Sequence, residues 1–272
     1  MKPLKQKSYG SIPHLLGSRL GVGDHHCHEG QHNIATLKTR DRHDLVIVQE
    51  KLDGSNVGVA KIDGKIIAIT RAGYTADSSK YSQHLIFDLW VKENEERFLK
   101  LLKEGERICG EWLVMAHGTR YDLKHEPFVP FDLMTGNERT TYNVFESRVQ
   151  ELGFIVPKLL HIGCSVGIDY IVDKIKTSGH GALDEVEGAI WRVERQGKVD
   201  FLAKFVHNHK QDGKYFAEIT GAEPVWNCDV STDFVYINGQ IINSQTQQPL
   251  QGATITISSP NFGSRNDLTN SQ

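Results

Sequence analysis

The sequence predicts an α+β fold of antiparallel sheets flanked by helices. Three observations lead there. Alternating apolar runs are joined by two-residue connections, Asp63-Gly64 and Gln196-Gly197, and the Asp-Gly pair is a strong signal for a type I′ hairpin. Strands and helical stretches are mixed, with most adjacent strands hairpin-connected, rather than strictly alternating as in a doubly wound parallel sheet. Neither G-x-G-x-x-G nor G-x-x-x-x-G-K-[ST] occurs, so the two common phosphate loops are missing.

In chain order, Asp44–Gln49 reads as an apolar strand, and Val57–Ile62 and Lys65–Thr70 as the two arms of the Asp63-Gly64 hairpin. Tyr81–Lys103 has apolar residues at Leu85, Leu89, Phe98, Leu101 and Leu102 around a charged cluster, Lys92–Arg97, which predicts one amphipathic helix. Arg107–Val114 and Phe128–Met134 read as strands. Asn143–Leu152 is a helix stopped by Gly153, and Val166–Thr177 another stopped near Gly179. Val186–Glu194 and Lys198–Val206 form the last hairpin.

Composition changes near residue 228. From Asp229 to Gln272 there is no Lys and no Glu, and one Arg (Arg265) against three Asp (Asp229, Asp233, Asp267) gives −2, leaving −1 for residues 1–228. Gln, Asn, Ser and Thr dominate that tail. The expected organisation is therefore a main domain over 1–228 and a polar tail over 229–272.

Apolar residues make up 39% and charged residues 24% of the 272, as in an ordinary soluble globular protein. The formal charge of −3 argues against a broad basic surface for nucleic acid but leaves room for a local basic groove. The start, MKPLKQKSYGS, has no apolar run behind it, and no apolar stretch approaches membrane-spanning length. Cys27, Cys109, Cys164 and Cys228 lie far apart with no Cys-x-x-Cys pair, which favours reduced thiols. A cytoplasmic protein with no membrane association and no evident protein partner is expected.

The pattern Lys-x-Asp-Gly occurs twice, at Lys51–Gly54 and Lys61–Gly64. Read alone, either is a turn beside a solvated lysine, because a free amine is protonated at neutral pH and becomes a nucleophile only where its surroundings favour the neutral form. Lys61 fits that reading, since its Asp-Gly is the whole of a hairpin connection. Lys51 ends an apolar strand and is followed by Ser55 and Asn56, small polar residues suited to a ligand site.

After EKLDGSN (Glu50–Asn56) come TRAGY (Thr70–Tyr74), CGEWLV (Cys109–Val114), FVPFDLM (Phe128–Met134), VEGAIWR (Val186–Arg192) and FLAKFV (Phe201–Val206). Each alone is weak. Six in this order resemble the motif series of the covalent nucleotidyltransferases, polynucleotide ligases and messenger-RNA capping enzymes, and most of all the ATP-dependent RNA ligases, across most of residues 45–210. The resemblance implies a ligase adenylation (nucleotidyltransferase) fold and three steps: a lysine attacks ATP to form lysyl-AMP, AMP passes to an RNA 5′-phosphate, and a 3′-hydroxyl displaces AMP. It implies Lys51 as nucleophile, Glu50 facing adenine, Asp53 and Asn56 lining the ribose-phosphate and strand-end region, and Arg71 on phosphate, where a planar fork can bind two oxygens. It implies Glu111 on the ribose hydroxyls, Phe131 stacked on adenine (about 1–3 kcal/mol by analogy with single-strand binders), and Glu187 on the divalent metal, Mg²⁺ or Mn²⁺. Lys204 would touch the α-phosphate and help depress the Lys51 pKa.

Two departures matter. Asn56 stands where DNA ligases and capping enzymes usually have arginine, which favours RNA over DNA. Leu202 stands where the last motif usually has a further lysine, with Lys198 or Lys210 as substitutes, and KFVHNHKQDGK (Lys204–Lys214) is a candidate basic edge. A DNA ligase or capping-type enzyme, or a non-catalytic RNA-binding relative, are the competing readings. No oligonucleotide-binding barrel of the kind usual in ATP-dependent DNA ligases is visible in the stretch Asn208–Gln272. In the tail, FVYINGQIINSQTQQPLQGATITI (Phe234–Ile257) resembles the opening strands of a carboxypeptidase-regulatory-like β-sandwich but is too short to close one; a disordered polar extension is the alternative. Finally, GDHHCHEG (Gly23–Gly30) offers His25, Cys27 and His28 as zinc ligands, as phosphate or base contacts, or as a polar loop packed on the domain.

Overall fold

A computed structural model of the protein describes residues 2–228 and the backbone of two strands in the tail. The chain forms two compact units, Met1–Cys228 and Asp229–Gln272, each described by itself.

The first unit begins with α1 (Glu29–Thr36), then β1 (Asp44–Lys51), β2 (Ser55–Ile62) and β3 (Lys65–Thr70). A 3-10 turn (Ala76–Ser78) leads into α2 (Ser82–Glu93) and α3 (Glu95–Leu101), followed by β4 (Glu106–Trp112), β5 (Phe128–Thr135) and the short β6 (Glu138–Arg139). Next come α4 (Tyr142–Gln150), β7 (Leu159–Gly163), α5 (Ile168–Lys174), β8 (Gly188–Arg195), β9 (Lys198–Val206) and α6 (Ala217–Thr220). The strands form a four-stranded sheet in the order β7-β1-β8-β9 and a five-stranded sheet in the order β3-β2-β4-β5-β6. All pairings within them are antiparallel. The chain therefore adopts the α+β class of antiparallel sheets flanked by helices.

Each sheet buries one face under helices. On the four-stranded sheet, Ala35 of α1 and Ile171 of α5 pack with Val46, Val48, Trp191, Val193 and Ala203. On the five-stranded sheet, Phe87 and Trp90 of α2 and Phe98 of α3 meet Trp112 and Phe128; the Phe87–Trp112 ring centroids are 5.2 Å apart and those of Trp90–Phe128 5.5 Å. Such aromatic pairs add about 0.5–1.5 kcal/mol each beyond their burial. Successive side chains alternate across a strand, so Gln49 and Lys51 of β1, Ile190 and Arg192 of β8, and Leu202 and Lys204 of β9 fall on the opposite face and line a cleft. The sheets are tied by Asp132 of β5, which is wholly buried. Its carboxylate accepts from Arg192 of β8, from Arg139 at 3.0 Å and from the Tyr9 hydroxyl.

One expectation is corrected, and two elements left unread in the sequence, α1 and β7, have weak local signals. The single helix over 81–103 is two, because Asn94 leaves helical geometry (φ −103°, ψ 16°) and its side-chain amide donates to the Trp90 carbonyl at 2.9 Å; asparagine competes with the backbone ladder in this way. The polar stretch around residue 28 leads into α1, which lacks a strong apolar stripe because only Ile34 and Ala35 are apolar in its last turns. The edge strand β7 is short and half exposed, so it carries no clear alternation.

In the second unit β10 (Thr254–Ser259) and β11 (Gly263–Leu268) pair antiparallel, from Thr254 opposite Leu268 to Ser259 opposite Gly263. The sandwich-like stretch read at 234–257 lies largely outside the described residues. Among the described residues no helix is long and apolar enough to cross a membrane.

Candidate active site

Lys51 is the last residue of β1, paired across the sheet with Gly188. Gly188 must be glycine, because a Cβ there would stand 1.8 Å from the Phe205 carbonyl oxygen. The chain then crosses from one sheet to the other through Leu52–Gly54 and enters β2. Gly54 is placed by close approach: a Cβ would lie 2.6 Å from the Trp112 carbonyl oxygen. Its N–H donates to Glu111 Oε1 at 3.0 Å, so the crossing glycine also holds a carboxylate that β4 presents opposite Asn56.

The cleft has a volume of about 1210 Å³ and is lined by Glu50, Lys51, Asn56, Arg71, Glu111, Phe131 and Lys204 among others. That exceeds the usual size of a small-molecule site, roughly 300–1,000 Å³. A second, polar recess of about 380 Å³ adjoins it and shares Lys51, Arg71 and Lys204, adding Glu187, Arg19, His14 and Asp24. Asp53 lines neither. Its carboxylate accepts from the Gly118 N–H at 3.0 Å and the Thr119 hydroxyl at 3.3 Å, with Lys210 Nζ 3.7 Å away. Asp53 thus supports the loop behind the lysine. Glu50 is buried, and its carboxylate accepts from the Ser178 hydroxyl and the Gly179 N–H.

Arg71 lies exposed at the rim, within 3.3 Å of the Ser11 hydroxyl, and makes no pair with Glu111. Phe131 lines the cleft, with the Tyr9 ring edge-on at 5.1 Å, whereas Phe128 and Trp112 are fully buried. Lys61 is not among the lining residues. Neither proposed substitute for the lysine absent at Leu202 reaches the cleft. Lys198 sits at the far end of the β8–β9 hairpin, opposite Arg195. Lys210 is buried, with its ammonium donating to the Gly118 and Glu185 carbonyls and to Thr119.

The centre of the site is an ion pair between Lys51 Nζ and Glu187 Oε2. Burial disfavours the charged amine, but the carboxylates of Glu187, Glu111 and Asp53 override it, and the Lys51 pKa lies above the ordinary lysine value. The expected depression of Lys51 by Lys204 is outweighed: the two ammoniums repel each other, which with burial lowers Lys204, but the carboxylates hold Lys51 above its ordinary value; the Asp24 carboxylate is 3.6 Å from the Lys204 ammonium. Burial pushes Glu111 and Glu187 up to about 7 each, against the opposing pull of Lys51. The carboxylates of Glu111 and Glu187 repel each other across the site, and their oxygen donors suit a hard divalent cation such as Mg²⁺ or Mn²⁺. Asn56 Oδ1 is buried with no hydrogen-bond partner among the described residues, an acceptor left for a ligand in the cleft.

Several cleft residues escaped the sequence reading. Arg192 is tied to Asp132 from the far sheet. His84 is pushed down to about 4 by burial, and His117 is lowered by burial and shares a hydrogen bond with Ser55 at 3.3 Å. Conversely, the cluster at 25–28 is not brought together as a metal site: Cys27 is buried in the apolar core beneath the four-stranded sheet, and the backbone N–H of His28 donates to the Gln31 side chain at the start of α1.

A family model described as RNA ligase matches residues 44–206. An uncharacterized protein of Methanocaldococcus jannaschii, MJ0414, is 20% identical over 203 residues, covering 71% of this chain and 47% of that protein. Among solved structures, Naegleria gruberi RNA ligase with PPi has a TM-score of 0.49 at 18% identity, covering 77% of this chain and 61% of that one. An archaeal ATP-dependent RNA ligase (form 1) has a TM-score of 0.43 at 18% identity, covering 73% and 48%. The chain thus spans less than half the length of the curated relative it matches.

Proposed function

Because the chain belongs to the RNA ligase family, we propose that it is an ATP-dependent ligase that joins RNA 5′-phosphate and 3′-hydroxyl ends through a lysyl-AMP on Lys51. The observation that supports this reading is one of placement. Lys51, Glu111, Phe131 and Lys204, which come from β1, β4, β5 and β9, and Arg71, just past β3, line a single cleft.

In the first step, the Lys51 amine attacks the α-phosphorus of ATP. An N–P bond forms, the bond to the bridging oxygen breaks, and pyrophosphate leaves. Lys51 must lose its proton and its pairing with Glu187 for this to happen, so nucleotide binding has to rearrange the pair. Lys204, on the same face of the sheet, neutralises phosphate charge, and Arg71 holds a phosphate at the rim by its planar fork. Phe131 gives the base a stacking surface, and Glu111 accepts from the ribose. Glu187 would hold a divalent ion, Mg²⁺ or Mn²⁺, which supplies charge stabilisation at the transferring phosphoryl group. The RNA 5′-phosphate then takes the AMP, breaking the N–P bond, and a 3′-hydroxyl displaces AMP to make the phosphodiester. A cytoplasmic location belongs to the same proposal.

Incubation with α-labelled ATP and Mg²⁺ tests it. The protein is expected to become labelled, and to pass the label to nicked RNA in preference to nicked DNA. Label from GTP rather than ATP would indicate capping chemistry, preference for DNA would indicate a DNA ligase, and no labelling would indicate a binding-only relative.

A further inference from the structure

The segment just past β9 carries side chains that the nucleotide cleft does not use. His207 and His209 are two residues apart, and their rings stack with centroids 5.3 Å apart and planes at 27°. From the other side comes Glu185, which lies two residues ahead of Glu187 and pairs with the His209 ring. One ligand atom from each of the three lies within 4.8 Å of the other two. Zinc bonds of about 2.0–2.2 Å in tetrahedral geometry place ligand atoms about 3.3 Å apart, so modest side-chain rotation closes the set. His207 is buried, whereas His209 and Glu185 are exposed, giving one fixed ligand and two that can adjust.

We propose that Glu185, His207 and His209 form a binding site for a transition-metal ion of the Zn²⁺ class, with a fourth position open to water. Two imidazoles and one carboxylate select such an ion over Mg²⁺, which prefers all-oxygen coordination. The site is therefore chemically distinct from the carboxylates around Lys51. Its place in the fold gives it a task. The His207 N–H donates to the Glu187 carbonyl at 3.1 Å, and Lys210 donates to the Glu185 carbonyl at 3.0 Å while standing 3.7 Å from Asp53. An ion at this point clips the segment after β9 to the segment before β8, on both sides of Glu187. Glu185, His207 and His209 are then positioning residues that hold Glu187 in register with Lys51. The Lys210 ammonium is the nearby charge that opposes a cation, and its three N–H groups are already engaged.

The test uses the full chain without purification histidines, stripped with a chelator and titrated with Co²⁺. The expected result is one equivalent bound with the visible absorption of low-coordinate Co²⁺, displaced by Zn²⁺ and unaffected by millimolar Mg²⁺. His209→Ala and Glu185→Gln, both at exposed positions, should lose that spectrum, and Glu187→Gln should keep it. Zn²⁺ should raise the thermal midpoint of the wild type and leave that of His209→Ala unchanged. Absence of the spectrum in the wild type, equal intensity in His209→Ala, or its loss in Glu187→Gln alone would overturn the proposal; the first would leave only a histidine–carboxylate ion pair. None of these outcomes depends on whether the protein forms lysyl-AMP.

Discussion

The two Lys-x-Asp-Gly segments share a pattern and almost nothing of their physics. At Lys61–Gly64 both turn residues are left-handed, Asp63 at φ 51° and Gly64 at φ 73°. Their N–H groups donate to the Glu104 carboxylate at 2.6 and 3.0 Å, and the pair closes a hairpin from Ile62 to Lys65. Here glycine serves backbone conformation. At Lys51–Gly54 neither Asp53 nor Gly54 has positive φ. The chain crosses between two sheets, and glycine serves close packing against the Trp112 carbonyl. Asp53 braces the Gly118–Thr119 loop, and the lysine ends a strand facing the cleft. The same four letters thus satisfy two unrelated steric demands, and only one of them delivers an amine to a ring of carboxylates.

Four substitutions break or sharpen this contrast. Lys51→Ala has the largest expected effect, loss of adenylation by several orders of magnitude, since removing a nucleophile removes the step; labelling with α-labelled ATP reads it, and an unchanged circular dichroism spectrum confirms the fold. Gly54→Ala comes next. Its Cβ would meet Trp112 O at 2.6 Å and Leu113 Cδ2 at 2.9 Å, an overpacking cost of about 1–3 kcal/mol visible in the denaturant midpoint, and displacement of Glu111 should slow adenylation as well. Gly64→Ala meets no atom within 4 Å but is held at φ +73°, so it should cost about 1 kcal/mol with the adenylation rate unchanged. Lys61→Ala has the smallest effect, within about 0.5 kcal/mol, with wild-type labelling.

How far the sequence was legible depends on whether each feature is local or long-range. All strands of the two sheets except the short β6 and β7 were readable because alternation and two-residue turns are local, and Gln196-Gly197 repeats the left-handed pair of Asp63-Gly64, at φ 49° and 76°. The clustering of Lys51, Glu111 and Glu187 was readable only through the order of motifs, since no local signal says that β1, β4 and the segment before β8 converge. The tie of Asp132 to Arg192, Arg139 and Tyr9 had no such signal, because it joins residues from separate sheets and the N-terminal segment. Asn94 hid its break inside a charged cluster whose spacing remained helical. Histidine density in the sequence is a poor guide to where histidines meet. The dense run at 25–28 put its cysteine into the core, while His207, His209 and Glu185, separated in sequence, meet because β8 and β9 are neighbours.

The central claim is that Lys51, and not its twin, is the nucleophile. It is tested most directly by reacting the wild-type protein with ATP and Mg²⁺, digesting it at neutral to alkaline pH, where a phosphoramidate survives, and locating the adenylate by peptide mass analysis. An acid-labile AMP adduct on Lys51, with Lys61 unmodified, is the predicted result. An adduct on Lys61 or on any other residue, with Lys51 unmodified, would contradict it.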